Sequence, residues 1–285
     1  MLYLFLAIVC AATYSILFKL FACRDVDSLQ AIAFNYLTAT LLGVGLSLGH
    51  LSMGLALGAS EWGLSVLMGL MFMAAFVLMA RSTARSGVAV TTVAARVALI
   101  IPVVGSYLLL PNQAEPRWGA IAIIILALVL VIWQPSSGEK SGGKGTFGWF
   151  LLPFAVFLLF GANNFCLKLA QNSLPEGAAA QLTAAIFLFA ALASGAYYFI
   201  TTKRRAFSWW AMVGGVALGV ANYFTTYFML LGLAQLPSAL FFPIYHIGIV
   251  TLVTTCGTLV FKERLSTVQI VGLVVAVVGI VAFFV

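Results

Sequence analysis

The sequence predicts an all-α polytopic membrane protein of ten transmembrane helices, arranged as two inverted five-helix repeats. Three observations lead there. Of 285 residues 64% are hydrophobic and only 7% charged, against about 25% charged in soluble domains. So little charge cannot cover a soluble fold of this size. The apolar residues fall into ten windows of about 20, the length that spans the hydrocarbon core of a bilayer. Five windows lie on each side of a single long polar stretch, and an odd number of crossings brings the second half into the membrane with opposite polarity.

The windows run over residues 2–21, 28–49, 62–80, 87–110, 117–133, 147–170, 178–201, 208–231, 237–260 and 266–285. The first opens Met1-Leu2-Tyr3 without a basic leader, so it is expected to be a retained helix and not a cleaved signal peptide. The connections are short and leave no room for a soluble domain. The polar stretch QPSSGEKSGGKGT, residues 134–146, has the composition of a flexible linker. It separates a first repeat, 1–133, from a second, 147–285. The four cysteines (Cys10, Cys23, Cys166, Cys256) have no CxxC spacing, so neither a disulfide framework nor a metal site is expected. They read as small apolar residues.

Traces of a repeat survive in the residues. The first window ends YSILFKL and the sixth ends NNFCLKL, with Lys19 and Lys168 in matching places. At an offset of 150 residues Ala84 meets Ala234, Ala89 meets Ala239, and Arg96 meets His246. Inverted repeats are common in secondary transporters, whose substrate site lies near the midplane between the halves. On the five-plus-five layout, the FKL and LKL ends, the tight turns ARSGVAV and AQLPSAL, and the terminal segment FKERLSTVQIVGLVVAVVGIVAFF, the chain resembles the ten-helix EamA-type branch of the drug/metabolite transporter superfamily. The last segment carries the most specific features: Glu263 and Leu265 in a turn, then a helix with Gly272 and Gly279. The resemblance covers the whole length. It implies a transporter with a central cavity lined by helices one, three, four, six, eight and nine.

Charge predicts the orientation. Cytoplasmic loops are enriched in Lys and Arg, and the odd-numbered loops hold Arg24, Arg81, Arg85, Lys140, Lys144, Lys203, Arg204, Arg205, Lys262 and Arg264, whereas the even-numbered ones hold only Arg117. Odd loops inside place both termini outside. Many relatives in the family have their termini inside, so here the chain departs from the pattern.

The candidate binding residues follow from where charge sits. All seven acidic residues fall in loops or at window ends. Cation transporters and many proton antiporters need an intramembrane carboxylate, as in the small multidrug resistance branch, and a cationic-drug exporter is therefore disfavoured. Arg96 lies about 12 Å into the fourth window at 1.5 Å per residue. Held in lipid, a guanidinium is unfavourable by about 2.5–3.5 kcal/mol, so it must face protein or water. His246 lies at a similar depth in the ninth window, measured from the other side. Arginine offers a planar fork suited to carboxylate or phosphate, and Arg96 is the leading anion partner. The amides and phenols of Asn163, Asn164, Asn222, Tyr223, Tyr227 and Tyr245 are further candidates, although such groups also bond helix to helix. Lys19 and Lys168 complete the set, unless each snorkels to the interface. Asn35 and Tyr36 read as structural. Pro102, Pro237 and Pro243 each remove a backbone bond and permit bending.

The expected function is alternating-access transport of a small organic solute bearing a carboxylate or phosphate, amino acids included, across an inner (plasma) membrane. The partners are that solute and membrane lipid; the net charge of +7 reads as orientation signal and anionic-lipid contact, not nucleic-acid binding. A passive channel is the alternative. With two histidines, no HExxH and no buried acid, an intramembrane enzyme is disfavoured. No catalytic residue, metal or cofactor is expected.

Overall fold

The computed structural model describes residues 1–23, 28–48, 57–86, 88–111, 115–132, 148–175, 177–201, 207–260 and 265–283. Among them the chain is helical, with no strand: α1 Leu2–Cys23, α2 Ser28–Leu48, α3 Ala59–Ser86, α4 Val88–Val97, α5 Ile100–Leu109, α6 Trp118–Ile132, α7 Gly148–Ser173, α8 Ala179–Thr201, α9 Trp209–Gln235, α10 Ser238–Leu259 and α11 Thr267–Val281. Each predicted window is helical because an apolar run in lipid must satisfy its amides within itself. The linker 134–146 and the Glu263 turn lie outside the described residues.

Two boundaries differ from the expected windows. The fourth is divided into α4 and α5. The tenth, expected to reach residue 285, leaves the helix after Val281, and Ala282 and Phe283 form a turn. Among the described residues seven spans, α4 and α5 together making one, are long and apolar enough to cross a membrane; α1 contributes a shorter apolar stretch, Leu2–Leu17, and α6 and α11 are shorter apolar helices. At 15 residues each they extend about 22 Å, less than a hydrocarbon core of about 30 Å. Large apolar side chains are exposed along the helices, among them Leu108 and Leu109 on α5 and Val274, Val277 and Val278 on α11. Such outward faces fit an integral membrane protein.

The chain forms two compact units that do not follow the sequence halves. One comprises 1–73 and 169–235, the other 74–168 and 236–285, so each draws on both halves. In the first unit α2 packs on α8 and α9, and α1 lies along α9. The α2–α9 approach is possible because Gly215 and Gly219, in the small-xxx-small spacing that membrane helices use, face the backbone of Ala31 and Asn35. A Cβ on either would lie 2.5 Å from a carbonyl oxygen.

In the second unit α6 packs on α11, α10 on α5 and α6, and α4 on α6. Gly272 and Gly279 face Val131 and Ile124 of α6, which gives the Gly spacing of the last helix its purpose. Ser266 caps α11: its hydroxyl accepts from the Gln269 amide at 3.3 Å, and the Gln269 side chain accepts from the Ser266 amide at 3.0 Å. Gln269 also donates to the Val131 carbonyl at 3.2 Å, tying the cap to α6.

Candidate functional site

Arg96 sits in the last turn of α4, not in the middle of a continuous helix. The cause of the interruption is six residues further on. Pro102 has no amide hydrogen for the carbonyl of Ala98, and that carbonyl accepts from Ile101 at 3.1 Å instead. The Leu99 amide likewise turns to the Arg96 carbonyl at 3.3 Å. Two successive short-range bonds make a tight turn of 3₁₀ type at Ala98–Leu99, and α5 begins at Ile100. The guanidinium therefore emerges at a helix C-terminus, whose partial negative charge favours a cation. The start of α4 is fixed too: the hydroxyls of Ser82 and Thr91, both fully buried, share a hydrogen bond of 2.7 Å.

Arg96 is half-buried, and His246 lies on α10. His246 is 3% exposed, and neither of its ring nitrogens has a hydrogen-bond partner among the described residues. Tyr245 meets the imidazole edge-on at 5.3 Å between ring centroids and stacks on Phe241 at 5.7 Å. The two residues aligned by the repeat offset are thus in the same unit, one from each half of the sequence. That unit also holds Asn163, Asn164 and Lys168 on α7. The Asn163 Oδ1 is buried with no partner among the described residues. Lys168, a binding candidate with snorkelling to the interface as its alternative, is buried at 5% exposure.

The remaining candidates belong to the other unit. Asn222, Tyr223 and Tyr227 lie on α9. Asn222 donates to Asn35 Oδ1 on α2 at 3.2 Å, so its amide joins two helices. Tyr223 is fully buried between Phe187, at 6.4 Å, and Tyr227, stacked at 6.0 Å. Its hydroxyl has no partner among the described residues. Lys19 lies on α1, and its side chain falls outside the described residues.

Sequence reading passed over Ser106 and Ser238, two hydroxyls 1% exposed with no partner among the described residues. Each is a lone polar residue amid apolar neighbours, the signal that singled out Arg96. It also passed over the burial of Glu61 at the start of α3, where the Ser60 hydroxyl donates to its carboxylate at 2.9 Å.

No family profile matches the chain. It is similar to an uncharacterized protein of Haemophilus influenzae, 26% identical over 280 residues that cover 95% of this chain and 93% of that one. It is also similar to a protein of known crystal structure, with a TM-score of 0.78 and 14% identity over 99% of this chain and 95% of the other. That likeness establishes a shared fold.

Proposed function

We propose that the protein is a secondary transporter of the EamA type that moves a small carboxylate- or phosphate-bearing solute across an inner membrane by alternating access between two inverted halves. The observation that carries this reading is that one compact unit holds both Arg96, half-buried at the helix break, and His246, whose imidazole is buried without hydrogen-bond partners among the described residues. The helices wholly within that unit (α4, α5, α6, α10 and α11) contain no Asp or Glu. A basic, acid-free centre favours an anion. An interrupted helix at the bilayer midplane is also where secondary transporters hold their ligands. Arg96 supplies the two-pronged contact, and Tyr245 and His246 supply aromatic and polar wall. The inverted repeat is supported by two pairings, α2 with α8 and α6 with α11: second with seventh helix, fifth with tenth.

Reconstitution in proteoliposomes and a screen of small carboxylates and phosphates test the reading. Saturable uptake with counterflow is expected for at least one such solute. Flux without saturation or counterflow would make the protein a channel, and saturable transport of a quaternary ammonium compound would contradict the charge preference.

A further inference from the structure

We propose that the α6–α11 pair presents an outer apolar belt shorter than an ordinary bilayer is thick, and that this face takes phospholipids with short acyl chains as its partners. The first ground is that the two helices end together at both ends. Gly272 meets Val131 and Gly279 meets Ile124, equal steps of seven residues in opposite directions, so the helices are antiparallel and in register. At one end the Ser266–Gln269 cap is tied to the Val131 carbonyl at 3.2 Å. At the other, Arg117, just before α6, donates to the carbonyl of Ala282, just after α11, at 3.5 Å. Neither helix therefore lengthens the belt of the other, as an offset pair would do.

The second ground is where the polar ends fall. Each helix has 15 residues, about 22 Å at 1.5 Å per residue, against a hydrocarbon core of about 30 Å. Tilting the pair only shortens its reach along the membrane normal. Tryptophan collects at membrane–water interfaces, and α6 opens on Trp118, 49% exposed, while Trp133-Gln134 follows its last residue in the sequence. These two tryptophans are only fifteen positions apart. Charge bounds the other helix, since Lys262, Glu263 and Arg264 precede its cap. Arg117 is held to the Ala282 carbonyl, so it does not extend the belt by reaching outward. The seven long spans, by contrast, run from 19 to 27 residues.

The third ground is what the face exposes. Helix α11 buries only Gly272, Ala276 and Gly279. It turns Ile270, Val274, Val277 and Val281 outward, each between 51% and 61% exposed, and α6 adds Leu126 at 53%. No polar side chain follows Gln269 in α11, so the outer face is apolar up to the Arg117 end. A single helix seated on a glycine strip is convex and offers no groove for the side chains of a second copy. Fluid acyl chains fit it better. A belt shorter than the bilayer is accommodated by thinning the lipid around it. Chains that are already short meet that demand with the least distortion, and they should be enriched at this face.

The test is lipid-selective fluorescence quenching of the purified protein in vesicles. A fluorescent amino acid replaces Val274 on α11 or, for comparison, Leu41 on the 21-residue α2, where that position is 64% exposed. The vesicles mix dimyristoleoyl phosphatidylcholine with dioleoyl phosphatidylcholine brominated on its chains, so that only the longer lipid quenches. The Val274 probe should be quenched less than the Leu41 probe, a preference for short chains of about threefold, in keeping with the modest scale of mismatch effects. Moving the bromine to the short-chain lipid should reverse the order. T267L extends the outer apolar face by three residues, about 4.5 Å, leaves the Ser266 cap in place, and should reduce the preference. None of these readings depends on solute transport. Equal selectivity at the two positions, an undiminished preference in T267L, or a Val274 probe that neither lipid quenches because a second copy covers it would overturn the proposal.

Discussion

At the scale of the residue, Arg96 is kept inside an apolar window because the helix around it stops. Its position among apolar neighbours was plain in the sequence; the stop was not. Pro102 interrupts its helix, whereas Pro243 leaves α10 unbroken, so a proline alone does not announce a break. Each ring forbids one backbone bond, and tertiary packing decides whether the turn closes around the loss. His246 was equally visible as a titratable group at depth. That its ring nitrogens find no hydrogen-bond partner among the described residues depends on side chains far away in the chain and could not be read beforehand. Histidine is the side chain that changes charge between about pH 5 and 8. Of the helices packed on α10, α6 and α11 carry no ionisable side chain and α5 carries only the exposed Tyr107. If His246 carries proton coupling, H246Q should flatten the pH profile of transport and leave solute-for-solute exchange intact. An unchanged profile would remove His246 from the coupling step.

Elements were the most predictable level. Ten apolar windows became helices because lipid leaves the backbone no other way to satisfy its amides. Which faces meet was hidden, since a helix apolar all round shows no stripe to mark its buried side. The small residues would have helped: Gly215 and Gly219 mark where α9 meets α2, and Gly272 and Gly279 where α11 meets α6. This yields a stability prediction. G219A puts a methyl group 2.5 Å from the Asn35 carbonyl oxygen and should destabilise the protein by about 1–3 kcal/mol through overpacking. G119A, with nothing within 4 Å of its new Cβ, should be neutral or slightly stabilising. Thermal melting in detergent compares the two; equal melting temperatures would mean that the α2–α9 contact is looser than described.

For the whole molecule, the layout of the chain was readable and the grouping of helices was not. The linker divides the sequence five and five, yet the compact units exchange helices between the halves. In the first unit α2 packs on α8 and α9, and in the second α6 packs on α11, pairings across the linker that no local signal encodes. Orientation rests on the excess of Lys and Arg in the odd loops. A reporter fused after Val285 should be active outside the cytoplasm, and a cysteine in the 134–146 linker should resist impermeant reagents added from outside. A cytoplasmic C-terminus would reverse the assignment. The central claim, anion recognition by Arg96, is tested most directly by comparing affinity for the best anionic solute from the screen in wild type, R96K and R96Q. A buried charge-assisted contact is worth about 1.5–3 kcal/mol, so R96Q should lose affinity by about 10- to 150-fold, and R96K less, with both proteins folded. Wild-type affinity in a folded R96Q would contradict the account.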